Sequence, residues 1–323
     1  MILVRAPLRI TLGGGGTDLP SYASQRGGYC LSAAIDKYVY VSVLRPFEPG
    51  FYLKYSQIEK CKDVNEIKHP VIRETLKMLR PWAGDQIEIT ALADIPSGTG
   101  LGSSGAFTVA LIKAITQLSN ATMLTDRLAE LAFTVEAFRL GEPVGRQDPY
   151  ASAWGGVAQF VFEKDGAVKT LGLLAAQNMR DALEENLMLF FTGYERKAGE
   201  ILADQQSRTL AGEYSMMANL DEVKDIGQRT AAALELGDEG EFIRLLNAQW
   251  FIKDRRQDTP EPIRSARSLA MKNAALACKL VGAGGGGFLL CYTEDKRTLR
   301  SAMVGAGLRE VKFKLDFEGV KVL

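Results

Sequence analysis

The stretch Ile95-Pro96-Ser97-Gly98-Thr99-Gly100-Leu101-Gly102-Ser103-Ser104-Gly105-Ala106-Phe107 constrains this chain more than any other. Its glycines at 98, 100, 102 and 105 have no Cβ to keep a ligand off the backbone, and they admit turns with positive φ. Directly after them, Ala106 to Leu118 is almost wholly apolar and predicts a buried helix. The first N–H groups of such a helix lack an intrahelical partner and carry the positive end of its dipole. A glycine-rich loop feeding it is therefore suited to phosphate. The common nucleotide P-loop needs Lys and then Ser or Thr, and no Lys lies between Ile95 and Phe107. Gly100 to Gly105 fits G-x-G-x-x-G, but the dinucleotide context fails. The strand candidate 86–91 ends early, and no second strand closing on an acid occurs about twenty residues later. A plain turn capped by Ser103 or Ser104 would explain one glycine, not this cluster.

At 323 residues the chain exceeds the usual single core, which predicts two domains, 1–180 and 181–323. With 39 basic and 39 acidic residues it has no charge excess for nucleic acid or a membrane surface. The densest basic cluster, Lys253-Asp254-Arg255-Arg256, reads as a solvated helix face. Cys30, Cys61, Cys278 and Cys291 show no metal or redox spacing, and Cys278 and Cys291 sit in apolar contexts that suit free thiols. The single histidine, His69, argues against a zinc site or a histidine-based triad. Arg5 and Arg9 interrupt the apolar N-terminus before a signal core could form, so a cytoplasmic location is expected.

Strands are expected at 1–12, 29–34, 38–44 and 86–91, then at 157–162, 167–173, 186–191 and 311–315. A further strand pair should flank the glycine cluster 282–287. Helices are expected over 125–140, 195–210, 220–236, 241–254 and 262–276, and over the later part of 63–79. The interleaving lacks a regular βαβ repeat, which favours α+β. In the helix 125–140, Leu128, Leu131, Ala132, Val135 and Phe138 form the apolar stripe and Glu136 sits at its border, the place of a solvated glutamate. Asp148-Pro149 reads as a turn initiator.

Three glycine-rich motifs far apart in the chain imply one shared ligand. The set Ala6-Pro7-Leu8-Arg9-Ile10 with Gly16-Thr17-Asp18, Pro96 with Gly100-Leu101-Gly102-Ser103-Ser104, and Gly282-Ala283-Gly284-Gly285-Gly286-Gly287 closely resembles the three motifs of the GHMP kinases. The resemblance runs in order along essentially the full length. It implies a two-domain α+β fold, with an N-terminal domain like the second domain of ribosomal protein S5, a ferredoxin-like C-terminal domain and a cleft between them. It implies ATP and Mg2+ as cofactors, with Pro96, Gly98, Gly100, Leu101, Gly102, Ser103 and Ser104 on the nucleotide. Ser104 and Glu136 would hold the metal, and Asp148, with Arg9 beside it, would serve the reacting hydroxyl. Gly15, Gly16, Thr17, Asp18, Gly284 and Gly285 would face the acceptor. The four-glycine first motif and Gly145-Arg146-Gln147-Asp148-Pro149-Tyr150 resemble the branch that phosphorylates D-glycero-D-manno-heptose 7-phosphate on its anomeric oxygen for surface polysaccharide synthesis. Gly15-Gly16 replace the Glu-His of galactokinases, against galactose itself. Fucose or a uronic acid remains an alternative acceptor, as does a catalytically silent sensor on the same fold. A phosphorylated acceptor needs a cationic pocket, for which Arg146, Arg196, Arg26 and Lys37 are the candidates. A homodimer is compatible with this reading.

Overall fold

The computed structural model describes residues 1–79, 86–194 and 198–323. Its first framework is a pair of long antiparallel strands, β1 (Ile2–Gly14) and β2 (Gly28–Leu44), joined through the short helix α1 (Pro20–Arg26). The two strands expected at 29–34 and 38–44 are one: the register shifts between Leu8↔Ile35 and Pro7↔Tyr38, so Asp36 and Lys37 bulge out without ending the ladder. β2 then forks. Its first half pairs with β6 (Val157–Phe162), which carries β7 (Val168–Gly172). Its second half pairs with β5 (Gln86–Ala93). β3 (Gly50–Lys54) runs parallel to β5, and β4 (Ile58–Cys61) closes that edge. The strand β12 (Lys321–Val322) returns to β1 and completes an eight-stranded sheet.

Helix α3 (Ser103–Leu118) lies on β1 and β2 with Leu111, Ile112 and Ile115 fully buried. Each such side chain contributes about 1.5–3 kcal/mol by leaving water. That burial anchors the glycine loop at its head. Around it stand α2 (Pro70–Met78), α4 (Thr125–Phe133) and α5 (Gln147–Trp154). The helix expected in the later part of 63–79 covers residues 70–78 and is capped by His69, whose Nδ1 accepts from the Ile72 N–H.

After α6 (Gln177–Glu185) comes a second, four-stranded antiparallel sheet of β8 (Leu187–Phe191), β9 (Ala277–Leu280), β10 (Phe288–Tyr292) and β11 (Arg309–Val311), in the order β11-β8-β10-β9. The helices of this half are α7 (Ala198–Leu210), α8 (Tyr214–Leu236), α9 (Glu239–Arg256), α10 (Glu261–Lys272) and α11 (Lys296–Gly305). Phe190, Leu289, Trp250, Ile263, Leu299 and Met303 form the core that joins this sheet to its helices. Cys278 and Cys291 are free and face each other in that core. No described helix is long and apolar enough to cross a membrane.

Candidate active site

Helix α3 begins at the floor of a cavity of about 410 Å³. Its N-cap, Gly102, takes the left-handed conformation (φ 77°), which turns the loop so that Gly98, Gly100, Gly102, Ser103 and Ser104 line the cavity. Pro96 is exposed outside it, and Leu101 is buried in the core, serving through its carbonyl, which accepts from the Arg9 N–H at 3.0 Å. Neither side chain faces the cavity as expected. The glycine cluster between β9 and β10 abuts this loop: a Cβ on Gly282 would fall 2.6 Å from Gly100 Cα. Gly282 and Ala283 reach the cavity, whereas Gly284 and Gly285 are buried behind them, and the Gly284 carbonyl accepts from Gln257.

Asp148 lies in the first turn of α5 rather than in a free turn. Arg9, buried on β1, donates through Nε (2.7 Å) and Nη2 (2.5 Å) to Asp148 Oδ1 and through Nη1 to the Gly100 carbonyl (2.6 Å). One planar guanidinium thus ties the carboxylate to the phosphate loop. Oδ2 of Asp148 has no hydrogen bond among the described residues, and the side chain keeps about a third of its surface open to the cavity. Gly105 makes the arrangement possible, because a Cβ there would sit 2.9 Å from both Asp148 Cβ and the Pro149 nitrogen.

Glu136 is buried, contrary to its expected place at a solvated border. α4 passes into a π-helical turn, Thr134–Arg139, in which the Leu140 N–H reaches back to the Val135 carbonyl. The wider turn changes the helical phase, so Phe138, expected in the stripe, is 67% exposed while Glu136 points inward. Its Oε1 accepts from Thr108 at 2.5 Å, and Ser104, one turn earlier on α3, is near enough to favour the ionised carboxylate. Burial raises its pKa to about 7 against the opposing Thr108 bond, and Asp148 adds to the rise.

Asp18 is buried in the cavity wall, accepting from the N–H groups of Gly16 and Gln147 at 3.0 Å each. Its pKa is raised by burial, and secondarily by the charge of Asp148. Gly15 and Gly16 line the cavity beside it. Thr17 does not: its hydroxyl donates to the Tyr29 carbonyl (2.8 Å) and accepts the Tyr29 N–H (2.9 Å), stapling α1's approach to β2.

The expected phosphate-binding cations are elsewhere. Arg146 forms a two-point bond with Glu130 (2.9 Å each) and stacks on Phe133. Arg26 pairs with Asp221 and Lys37 with Asp36, both outside the cavity. Arg196 lies outside the described residues. In their place stand Lys253, Arg256 and Lys279, of which the first two belong to the cluster read as solvated. Gln249, Lys253 and Arg256 are spaced i, i+4, i+7, one face of α9. The same spacing continues the helix's apolar stripe and is the signal that could have revealed them.

Two family models match this chain, GHMP kinases N terminal domain over residues 69–156 and GHMP kinases C terminal over 230–306, together half of its length. The chain belongs to the GHMP kinases. A D-glycero-alpha-D-manno-heptose 7-phosphate kinase from Campylobacter jejuni is 26% identical to it over 99% of this chain and 98% of that protein. The L-fucokinase/L-fucose-1-P guanylyltransferase of Bacteroides fragilis is 27% identical over 90% of this chain, which spans 34% of that longer protein. The crystal structure of a D-glycero-D-manno-heptose 1-phosphate kinase from Bacteroides thetaiotaomicron superposes with a TM-score of 0.83 at 24% identity, covering 100% of this chain and 99% of the other. The two-domain GHMP kinase fold is therefore the fold of this protein.

This kinase is ATP-dependent, and its loop geometry suits that donor: the free N–H groups at the head of α3 face the cavity where phosphate charge needs neutralising. The donor set also fits Mg2+. Glu136 is a buried carboxylate without a cationic partner among the described residues, and the Ser104 hydroxyl lies beside it. No group of three or more metal-binding side chains occurs among the described residues, so a hard cation here would complete its shell with phosphate and water oxygens.

Proposed function

We propose that this kinase transfers the γ-phosphoryl group of ATP to the anomeric hydroxyl of D-glycero-D-manno-heptose 7-phosphate. The observation that carries the catalytic reading is Asp148: one oxygen fixed by Arg9, the other unbonded among the described residues, on a side chain open to a cavity that begins at the phosphate loop. The full-length similarity to the Campylobacter heptose 7-phosphate kinase supports the acceptor. Asp148 Oδ2 accepts the proton of the C1 hydroxyl as that oxygen bonds to the γ-phosphorus and the bond from phosphorus to the β–γ bridging oxygen breaks, leaving ADP. Arg9 keeps the acid and the loop in register, so the hydroxyl and phosphorus meet in line. The head of α3, with Ser103 and Ser104, stabilises the charge on the β- and γ-phosphates. Ser104 and Glu136 would hold Mg2+, which when bound would neutralise phosphate charge. Asp18 and the Gly15-Gly16 backbone orient the sugar hydroxyls.

The similarity to the Bacteroides fucokinase supports a second acceptor, L-fucose, on the same machinery. ADP release with Mg·ATP against heptose 7-phosphate, mannose, mannose 6-phosphate, fucose, galactose, glucuronate and mevalonate separates them. Preferred turnover of the heptose phosphate supports the proposal. Preference for an unphosphorylated sugar keeps the mechanism and replaces the acceptor, and binding of ATP with no turnover of any compound refutes catalysis in favour of a sensor.

A further inference from the structure

The three polar residues that α9 turns into the cavity are not equivalent. Gln249 Nε2 donates to the Leu12 carbonyl (2.9 Å), and Lys253 Nζ donates to the carbonyls of Leu280 (3.2 Å) and Gly282. Lys279 on β9, across from them, is likewise occupied by the Thr11 carbonyl (2.9 Å) and by Gln249, and burial pushes its pKa down to about 7. Arg256 differs. Its Nη1 is buried and meets no acceptor, and the residue makes no ion pair among the described residues. Its pKa is lowered to about 10, chiefly by burial and then by nearby Arg208, against the opposing charge of Asp18. That carboxylate already accepts from Gly16 and Gln147. A guanidinium nitrogen buried without an anion is costly, because its N–H donors lose water and gain nothing in return.

The place of this guanidinium is defined by the first glycine loop. Gly16 has φ 82°, and a Cβ there would lie 3.4 Å from Arg256 Nη1 and 3.1 Å from Gln205 Oε1. Gln205 is buried, and its Nε2 donates to the Gly16 carbonyl at 2.7 Å. Gly16, Gln205 and Arg256 thus form one corner of the cavity, beside Asp18. An acceptor whose reacting hydroxyl sits at Asp148 and whose ring hydroxyls face Asp18 would extend its far end into this corner.

We infer that Arg256, with Gln205 beside it, is the subsite for a second phosphate: a phosphomonoester dianion at the end of the acceptor remote from the reacting hydroxyl. The inference rests on the proposed phosphorylated acceptor and names the residue that selects it. Guanidinium and phosphate match in planar, two-point geometry, and the pairing removes the unmet charge at this corner. The competing explanation is structural, with Arg256 only balancing Asp18.

The test compares D-glycero-D-manno-heptose 7-phosphate with the unphosphorylated heptose in the wild type, Arg256→Gln, Arg256→Lys and Arg255→Gln. The ratio of the two kcat/KM values should fall about 30-fold in Arg256→Gln, mainly through KM of the phosphorylated sugar, as expected for a lost charged hydrogen bond. Arg256→Lys should recover part of it. Arg255→Gln should match the wild type, because Arg255 is exposed and pairs with Glu222. Equal losses on both sugars in Arg256→Gln would overturn the subsite and leave the balancing role. A wild type that prefers the phosphorylated sugar, with the preference intact in Arg256→Gln, would overturn this inference alone. A wild type that turns over neither sugar refutes the acceptor. The subsite is then decided by inorganic phosphate with a non-hydrolysable ATP analogue at saturation: thermal protection of the wild type but not of Arg256→Gln supports it, and equal or absent protection overturns it.

Discussion

Replacing Glu136 by Gln should stabilise the ligand-free protein while disabling the enzyme. The Glu136 carboxyl has no cation beside it among the described residues, and burial lifts its pKa from 4.5 to about 7. A difference of that size corresponds to about 3 kcal/mol between its two protonation states. The sign comes from the direction. A raised folded-state pKa means the folded protein binds the proton more tightly than the unfolded chain, so the contribution is full below pH 4.5 and is lost as pH rises through about 7. At pH 8 the wild type therefore carries a buried, unpaired charge that Glu136→Gln lacks. Thermal unfolding without ligand should show a gain of about 5 °C for the variant at pH 8, shrinking toward nothing at pH 4.5. Magnesium-dependent turnover should collapse, because the amide offers no charge to a hard cation. In the wild type, Mg·ATP affinity should weaken as pH falls below about 7, since the metal must displace the proton on Glu136. A variant less stable than the wild type at pH 8, or a wild-type affinity flat between pH 6 and 8, would refute this account of Glu136.

Asp148→Asn should retain ATP binding near the wild-type value, measured by calorimetry, while kcat falls by about 10²–10⁴, the range for losing a general base. A turnover within tenfold of the wild type would remove Asp148 from that role. Gly105→Ala should cost about 1–3 kcal/mol in denaturant unfolding, because its methyl would meet Asp148 and Pro149 at 2.9 Å. It should also lower kcat more than it weakens ATP binding, since the displaced group is the acid rather than the loop.

The parts of the site that are legible in the sequence are those built by contiguous residues. The glycine loop and α3 can be read locally, because four glycines and an all-round apolar helix state both the conformation and the burial. Periodicity misplaces Glu136 because it assumes a constant turn, and the π turn at 134–139 is invisible to it. Arg256 and Lys253 look like a solvated run because hydrophilicity averages over a helix's faces. Their enclosure in the cavity depends on β1, its glycine loop and β9, which approach only when the two halves of the chain close. Arg146 is attractive as an arginine two residues before Asp148, but α4, packed beside α5, carries Glu130 and Phe133, which hold its guanidinium away from the cavity. The helices 20–26, 147–154 and 177–185 and the β3–β4 hairpin escape a sequence reading, being short segments whose residues carry little periodicity of their own.

The proposed function requires that the cavity present an anomeric hydroxyl to Asp148 while a second phosphate lies beside Arg256. The direct measurement is phosphorus NMR of the product formed from heptose 7-phosphate and Mg·ATP. The account predicts a new phosphate resonance coupled to the anomeric proton, with the original phosphate retained at C7. A product phosphorylated at any other carbon, or no product from an enzyme that phosphorylates an unphosphorylated sugar, would contradict it.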